Sequence, residues 1–285
     1  MFGITKQAYY KRIKTGKQKA MQAEKIKKLV EPIRKKMPRY GTKKLHLDIK
    51  DDLKNLSIKM GRDAFFTFAR HHRLLVPRTK RCFITTDSKH FFYKSPNLVK
   101  TLIPTGSEQV FVNDITYVKL QDGYVYAALV TDLYSKKVMD DNMKTALVKD
   151  ALAMALKNCE HNRETIIHHS DKGIQYCCPD YSEFAESNGM ILSTTEKYDP
   201  YENAVAERIN GILKYEFGLI KTIPSLDIAN KMLKEAVAIY NNERRHCSLQ
   251  MQTPNFAHTH QQHQYKEYKK KNNNQTKEQQ HRCNV

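Results

Sequence analysis

The sequence predicts an α/β fold, a mixed five-stranded sheet with flanking helices, preceded by a small all-α region. Two observations predict it. From Gln109 onward, β-rich runs separated by a hairpin signal are followed by alternating helical and strand patterns. Before that point the chain is lysine-rich and has the pattern of short helices. A hairpin followed by alternating helices and strands implies crossovers that add parallel strands to one sheet.

The first 78 residues are predicted to be helical. Residues 1–37 form a basic segment with a helix over 17–36 and a break or kink at Pro32. Residues 38–78 contain two short helices joined by a tight turn, the first with Thr42 as its N-cap. Such a pair is typical of a helix-turn-helix, although an ordinary basic helical hairpin has the same pattern. The residues expected to contact DNA here are Lys59, Arg62 and Arg70.

Three further regions follow. Residues 79–107 are predicted to be an extended, exposed linker, because prolines alternate there with basic residues. Residues 108–258 are predicted to form the core, in which Gln121-Asp122-Gly123 indicates a hairpin. The predicted strands cover residues 109–120, 124–134, 136–142, 165–168 and 190–193, and the predicted helices 145–159, 179–188, 203–217 and 226–241. This order resembles a ribonuclease-H-like fold. Residues 259–285 are polar and predicted to be disordered.

The charge of the chain predicts a polyanionic partner. Lysine and arginine total 49 against 30 acidic residues, a formal net charge of +19. Such a surplus favours nucleic acid, because neutralised phosphates release counterions, although a ribosomal or non-specifically adhesive protein would share it. The sequence has neither a spanning apolar stretch nor a signal peptide, so we expect no membrane partner and a cytoplasmic, nucleoid-associated protein. The six cysteines lack regular spacing and are expected to be reduced thiols.

Three acidic residues are candidate metal ligands and catalytic groups. Asp114 interrupts an apolar strand, where aspartate is disfavoured. Asp171 follows a predicted strand, at the carboxyl end where ligands bind in such sheets. Glu207 falls early in a predicted helix, with 35 residues between it and Asp171. Phosphodiester chemistry needs hard cations held by carboxylate oxygens, so we expect two Mg²⁺ ions here, with Mn²⁺ as a substitute.

Four motifs occur in order along the chain: VFVNDITY, HHSDKGIQY, YENAVAERINGILKYE and YNNERRHCSLQMQTP. They resemble the retroviral-integrase catalytic core of insertion-sequence transposases, in the second-reading-frame product of the IS-three family. The resemblance covers about residues 40–257. It implies a DNA transposase that cuts the ends of its element and joins strands, as a homo-multimer on double-stranded DNA. It also implies an upstream-frame helix-turn-helix protein, either as a separate partner or fused to this chain by frameshifting.

The sequence departs from the family pattern at three positions. Phe111 stands where tryptophan is frequent, Glu202 where aspartate is usual, and Arg245 where proline is usual. None of these changes removes a carboxylate of the triad. Two other functions stay open, a nuclease of the same fold that does not join strands and a DNA-binding regulator with a degenerate site. Metal-dependent joining would exclude the first function, and metal-dependent cleavage of any kind would exclude the second.

Two further residues are expected to contact DNA. Asn203 precedes Glu207 by four positions and Lys214 follows it by seven, so all three share one face of a helix. An amide and an ammonium beside a metal-binding carboxylate would suit a DNA backbone. The alternative for Lys214 is a solvated surface lysine.

Other polar residues have structural interpretations. We expect the possible extra ligands Asp132, Asp140 and Asp141 to be solvated strand ends. A pair of adjacent histidines and a pair of adjacent cysteines do not have zinc-ligand spacing, and His168 is expected to end a buried strand. The last motif contains a polar cluster that could either close the fold or contact DNA, and the sequence does not decide: Tyr240, Asn241, Arg244 and His246.

Overall fold

The computed structural model describes residues 5–77, 91–139, 148–160, 165–196, 202–262 and 264–265. The chain divides into two compact units, residues 1–83 with 214–218, and the remainder. Predictions for Asp140, for Asp141 and for most of the polar tail lie outside the described residues. Among the described residues, no helix is both long and apolar enough to span a bilayer.

The N-terminal unit is helical, as the fold prediction requires. Its helices are α1 (Lys6–Lys36), α2 (Thr42–Asp48), α3 (Lys50–Asn55) and α4 (Arg62–His71). The predicted break at Pro32 is wrong, because α1 continues past this residue to Lys36. Thr42 is the first residue of α2 rather than its cap, which is Gly41.

An apolar core joins these helices. His46 of α2 bonds the Met60 carbonyl at 3.0 Å and packs against Phe65 of α4, with ring centroids 5.3 Å apart. Arg34 of α1 donates a hydrogen bond to the Leu74 carbonyl at 2.8 Å. The buried apolar side chains are Ile26, Val30, Met37, Tyr40, Leu45, Ile49, Leu53, Ile58, Phe65 and Ala69. Their removal from water is the main force holding the short helices together.

The second unit is built on a mixed sheet in the order β2-β1-β3-β4. The strands are β1 (Val110–Leu120), β2 (Gly123–Asp132), β3 (Ile166–Ser170) and β4 (Met190–Thr194). β1 and β2 are antiparallel, and β3 and β4 add to β1 in parallel. Gly123 has a φ of 142° after the two-residue turn, which explains the need for glycine. In place of the predicted third strand, the described residues contain a single bridge between Thr131 and Val138.

In the part of the second unit that the structure describes, the sheet is accompanied by α5 (Val148–Lys157), α6 (Ile174–Cys177), α7 (Pro179–Ser187), α8 (Ala204–Glu216), α9 (Leu226–Asn242) and α10 (Pro254–His260). α5 packs on β2 and on α7, and α7 packs on β4. The buried core between them contains Phe111, Val130, Met139, Ala151, Leu152, Ala155, Ile166, Tyr176, Tyr181, Ala185 and Met190. A mixed sheet with flanking helices confirms the α/β prediction. α10 extends to His260, beyond the predicted core boundary at residue 258.

The described part of the predicted linker is docked rather than exposed throughout. Thr194 donates its hydroxyl to the Ser95 carbonyl at 2.6 Å, and Leu98 donates its N–H to Ser193 Oγ at 2.9 Å. Lys100 forms an ion pair with Glu196 at 2.9 Å. These bonds attach residues 95–100 to β4 and the turn after it. Composition predicts an extended chain but does not reveal which surface accepts its hydrogen bonds.

Candidate active site

Two of the predicted carboxylates follow paired positions on neighbouring strands. Asn113 of β1 pairs in parallel with Ser170 of β3, so Asp114 and Asp171 are the next residues along each strand. Glu207 lies in the first turn of α8. The charge of Asp171 raises the pKa of both other carboxyl groups, which requires the three groups to be neighbours. The structure therefore brings the three sequence-predicted carboxylates into one region.

The electrostatics of this region oppose the charged state. Burial raises the pKa of Asp114 to about 7, with Asp171 and then Glu207 adding to the effect, while a hydrogen bond from Asn210 opposes it. Burial and the charge of Asp171 also raise the pKa of Glu207. Like charges held together in this way cost free energy that a cation would offset.

The ligand chemistry fits a hard divalent cation, whose preferred ligands are carboxylate oxygens. Within the described residues, however, no group of three or more His, Cys, Asp or Glu side chains has the arrangement of a metal site. Asp114, Asp171 and Glu207 thus have the ligand chemistry that such a cation prefers, but their carboxylates are not arranged as a metal site in this structure. His168 is buried at β3, and its Nε2 lies 2.6 Å from the Tyr181 hydroxyl, so this nitrogen is used inside the fold.

Buried asparagines connect α8 to the strands. Asn210 donates from Nδ2 to Asp114 Oδ2 at 2.6 Å, and Asn203 donates to the Asn113 carbonyl at 3.0 Å. The Asn113 amide in turn donates to the His169 carbonyl at 3.2 Å. The Oδ1 atoms of Asn113, Asn203 and Asn210 are buried without a hydrogen-bond partner in the described structure. The helix carrying Glu207 is therefore fixed to β1 on both sides of that residue.

The expectation that Asn203 contacts DNA needs correction. Its side chain is only 5% exposed and its amide is used inside the fold, so Asn203 holds the start of α8. Asn210, which contacts Asp114 directly, was missed from the sequence. Its signal was a polar side chain among apolar neighbours on the buried face of a helix, between Ile209 and Ile212.

The other predicted DNA contacts belong to the first unit, residues 1–83 with 214–218. Lys59, Arg62 and Arg70 are exposed on the N-terminal unit. Arg62 forms an ion pair with its neighbour Asp63 at 2.8 Å. Lys214 is partly buried in the last turn of α8, in the stretch that clusters with the N-terminal unit. It is therefore not the fully solvated lysine of the alternative interpretation.

The polar cluster of the last motif closes the fold. Tyr240 donates its hydroxyl to the Lys136 carbonyl at 2.9 Å. Asn241 exchanges two hydrogen bonds with the Val138 backbone, at 2.9 and 3.0 Å. Arg244 is 2% exposed and lies 2.9 Å from His246. These buried side chains bond the backbone after β2 and so attach the end of α9 to the sheet. Of the two roles considered for the cluster, closing the fold and contacting DNA, the contacts favour closing the fold.

A second acidic cluster, called here the buried clasp, consists of Glu108, Asp132, Ser135 and His258. Asp132 Oδ1 accepts from the Ser135 N–H and hydroxyl, and Oδ2 accepts from the Glu108 N–H, all at 2.6 Å. His258 Nδ1 lies 3.0 Å from Ser135 Oγ, and Nε2 lies 3.1 Å from Glu108 Oε1. Asp132 is thus not a solvated strand end as expected. All four residues are 0% exposed, so no substrate reaches this set of a serine, a histidine and two acids.

Comparison with known proteins decides the family. An integrase core domain matches residues 104–200, and a second integrase core domain matches residues 188–254. The insertion element IS600 uncharacterized 31 kDa protein of Shigella sonnei is 33% identical over 258 residues, which cover 87% of this chain and 93% of that protein. This chain belongs to the IS-three family of insertion-sequence transposases. The integrase core and the DNA transposase function predicted from the motifs are confirmed.

Other members of the family align over shorter lengths. The transposase InsF for insertion sequence IS3A of Escherichia coli (strain K12) is 36% identical over 116 residues, 39% of this chain and 40% of that protein. The transposase for insertion sequence element IS629 of Shigella sonnei is 33% identical over 134 residues, 46% of this chain and 45% of that protein.

Among solved structures, the HTLV-2 integrase catalytic core domain in complex with magnesium has a TM-score of 0.41 at 18% identity, covering 54% of this chain and 97% of that one.

Proposed function

We propose that this transposase cuts DNA at the ends of its element and joins the freed strand to new DNA, with Asp114, Asp171 and Glu207 as catalytic residues and metal ligands. The observation that carries the proposal is the parallel pairing of Asn113 with Ser170, which puts Asp114 and Asp171 at matching positions, together with the hydrogen bonds that fix the Glu207 helix to β1. The pKa of Asp114, raised to about 7 by burial and by its two acidic neighbours, supports it. Carboxylates with strongly shifted pKa values, placed where the pairing of two parallel strands ends, are typical of functional sites.

A divalent cation fits this site because the ligands are all carboxylates. We propose two ions, Mg²⁺ with Mn²⁺ as a substitute, held by Asp114, Asp171 and Glu207. Bound there, the ions would supply charge stabilisation to the attacking and leaving oxygens of an in-line displacement. The raised pKa values support cation binding, since neutralising the mutual repulsion of the carboxylates favours the bound state.

The residues of the chain itself prepare the site. Asn210 occupies Oδ2 of Asp114, which fixes the orientation of the carboxylate and directs its other oxygen away from the amide. The Asn203 carbonyl accepts a hydrogen bond from the Glu207 N–H at 3.2 Å, and the Asn203 side chain donates to the Asn113 carbonyl of β1. In the first reaction, water attacks a phosphodiester and the leaving group is a 3′ hydroxyl. In the second, that 3′ hydroxyl attacks another phosphodiester, so one bond forms as another breaks without external energy.

Double-stranded DNA is the proposed substrate and target. A net charge of +19 supports a polyanionic partner. Bringing two element ends together requires more than one active site, so we propose a homo-multimer on DNA. An upstream-frame helix-turn-helix protein is a further proposed partner, which would add contacts to the element ends.

The proposal is tested by strand transfer with labelled end DNA of the element and Mg²⁺. Wild-type protein is expected to yield joined products, and Glu207→Gln to lose them because it removes a ligand while keeping the shape of the side chain. Glu235→Gln, on α9, is a matched control at a carboxylate outside the site and is expected to join normally.

The alternatives have distinct outcomes. Cleavage without joining would support a nuclease of the same fold. Binding without either reaction, even after the upstream-frame protein is added, would support a degenerate regulator. Joined products that persist in Glu207→Gln would contradict the assignment of this residue.

DNA contact by the N-terminal unit is tested by salt dependence. We expect Arg70→Gln and Lys59→Gln each to weaken DNA binding at all sequences and to reduce the slope of log affinity against log salt by about 0.9, because each removes one phosphate contact. Lys54→Gln is a control on the same unit, since this lysine already pairs with Asp51 at 2.7 Å. The same slope in wild type and in all three variants would show that Arg70 and Lys59 do not contact DNA.

A further inference from the structure

A continuous series of hydrogen bonds runs from the docked segment to the entry of α8. Leu98 donates its N–H to Ser193 Oγ at 2.9 Å, and Ser193 Oγ lies 2.8 Å from His169 Nδ1. His169 Nε2 lies 3.1 Å from the carbonyl of Glu202. Ser193 and His169 are almost completely buried. The series thus joins residues 95–100, β4 and β3 to the residue that precedes Asn203.

Chemistry fixes the direction of each bond. The Glu202 carbonyl can only accept, so His169 Nε2 carries a hydrogen and donates it. In a neutral imidazole that carries its hydrogen on Nε2, the other ring nitrogen, Nδ1, is an acceptor. The Ser193 hydroxyl therefore donates to Nδ1, while its oxygen accepts from Leu98. Every group in the series has one compatible role.

The bond to Glu202 acts together with the bond from Asn203. Two consecutive residues before α8 are held, Glu202 by β3 through His169 and Asn203 by β1 through the Asn113 carbonyl. β3 leads directly to Asp171 and β1 contains Asp114. Both attachments thus fix the start of the Glu207 helix relative to the strands that carry the other two carboxylates.

We infer that His169 is a positioning residue for the metal-dependent reaction, which holds Glu207 in register with Asp171 through the Glu202 carbonyl, with Ser193 and Leu98 fixing the imidazole. This inference rests on the proposed function for its catalytic consequence. It makes the segment before β1 part of the active-site support. His169 itself contacts neither DNA nor metal in this role.

Two substitutions of His169 separate positioning from packing. Glutamine is long enough to place an amide N–H near the position of Nε2 and to keep the bond to Glu202. Asparagine reaches only toward Ser193 and leaves the Glu202 carbonyl without this donor. Both variants lose the ring volume, so both are expected to lose similar thermal stability. A purely structural role would therefore affect them equally.

The experiment measures Mg²⁺ binding to the DNA-free protein by titration calorimetry, and strand transfer at saturating DNA with amounts corrected for folded protein. His169→Asn is expected to weaken Mg²⁺ binding and lower kcat about 10- to 100-fold with KM for DNA unchanged, as loss of a supporting hydrogen bond does at metal sites. His169→Gln is expected to remain within a few-fold of wild type. Ser193→Ala is expected to lie between them.

The outcomes separate the two proposals. Equal Mg²⁺ affinities in the Asn variant, the Gln variant and wild type would overturn the positioning role. A wild-type protein that binds Mg²⁺ but neither cuts nor joins DNA would instead defeat the proposed function. In that case the calorimetric comparison of the two variants still decides whether His169 positions the carboxylates.

Discussion

The second unit contains two acidic clusters with opposite characters. The buried clasp lies where β2 ends beside the start of β1, and it surrounds Asp132 with three hydrogen-bond donors and excludes solvent. At Asp114, farther along β1, two other carboxylates raise the pKa, and Asn210 is the hydrogen-bonding side chain. A carboxylate that the fold supplies with donors is structural, whereas one left among like charges suits an external cation.

The difference between the clusters shows that the residue types in a cluster do not by themselves make it an active site. The clasp contains a serine, a histidine and two acids, which are the types found in a nucleophilic triad. Their complete burial leaves them to connect the start of β1, the end of β2 and α10. Asp114 is partly accessible and lies beside an exposed residue, Glu207. Access and unsatisfied charge, rather than composition, separate the two clusters.

The largest expected effect is on catalysis. Asp114→Asn should lower strand transfer at least about a thousand-fold, because losing a ligand removes several kcal/mol of transition-state stabilisation. The same change should not lower the free energy of unfolding of the metal-free protein, since it relieves repulsion among the carboxylates. Gel assays and urea unfolding measure the two quantities. If Asp114→Asn were inactive because it is unfolded, Asp114 would be a structural residue and the contrast with the buried clasp would be wrong.

The second effect is on stability at the clasp. Asp132→Asn should reduce the free energy of unfolding by about 3 kcal/mol. The NH₂ group of asparagine is a donor, and it would face N–H and O–H groups that now donate to the Asp132 carboxylate. Strand transfer per folded molecule should change little. Urea unfolding with parallel activity measurements tests this. A loss of activity as large as that of Asp114→Asn, without a loss of stability, would make Asp132 a functional residue.

The third effect concerns metal and stability. Mg²⁺ at about 100 times its dissociation constant should stabilise the wild-type protein by about 2.7 kcal/mol, because it binds the folded state alone. Asp132→Asn should keep this increment and Asp114→Asn should lose most of it. Thermal unfolding with and without Mg²⁺ measures it, with K⁺ at equal ionic strength as the control. An increment retained in Asp114→Asn would locate the ion elsewhere.

The fourth effect is a dependence of stability on pH. The folded pKa of Asp114, about 7, lies above its ordinary value of 3.8. Protonation therefore stabilises the folded protein at low pH, and this contribution is lost as pH rises from the ordinary value through about 7. Metal-free wild type should lose stability relative to Asp114→Asn over this range. A stability difference between the two proteins that is independent of pH would contradict the shifted pKa.

The sequence by itself determined the family and most of the elements, and it named the three candidate carboxylates. Strand alternation, helical periodicity and the turn at Asp122-Gly123 are local patterns, so they can be recognised before the chain folds. The spacing between Asp171 and Glu207 is likewise a property of the chain. Most boundaries shifted by a few residues, but α1 begins at Lys6 instead of residue 17 and passes through Pro32, because tertiary context overrides local preference.

Only the tertiary structure decided which polar residues support the site. Asn210 and Asp114 are 96 positions apart, and His258 and Glu108 are 150 apart, so no local pattern connects them. The burial of Asn203, the closure role of Tyr240 and the directed hydrogen bonds through His169 also depend on partners from distant elements. A hydrogen bond has a direction and a partner, and long-range partners exist only after the sheet has assembled.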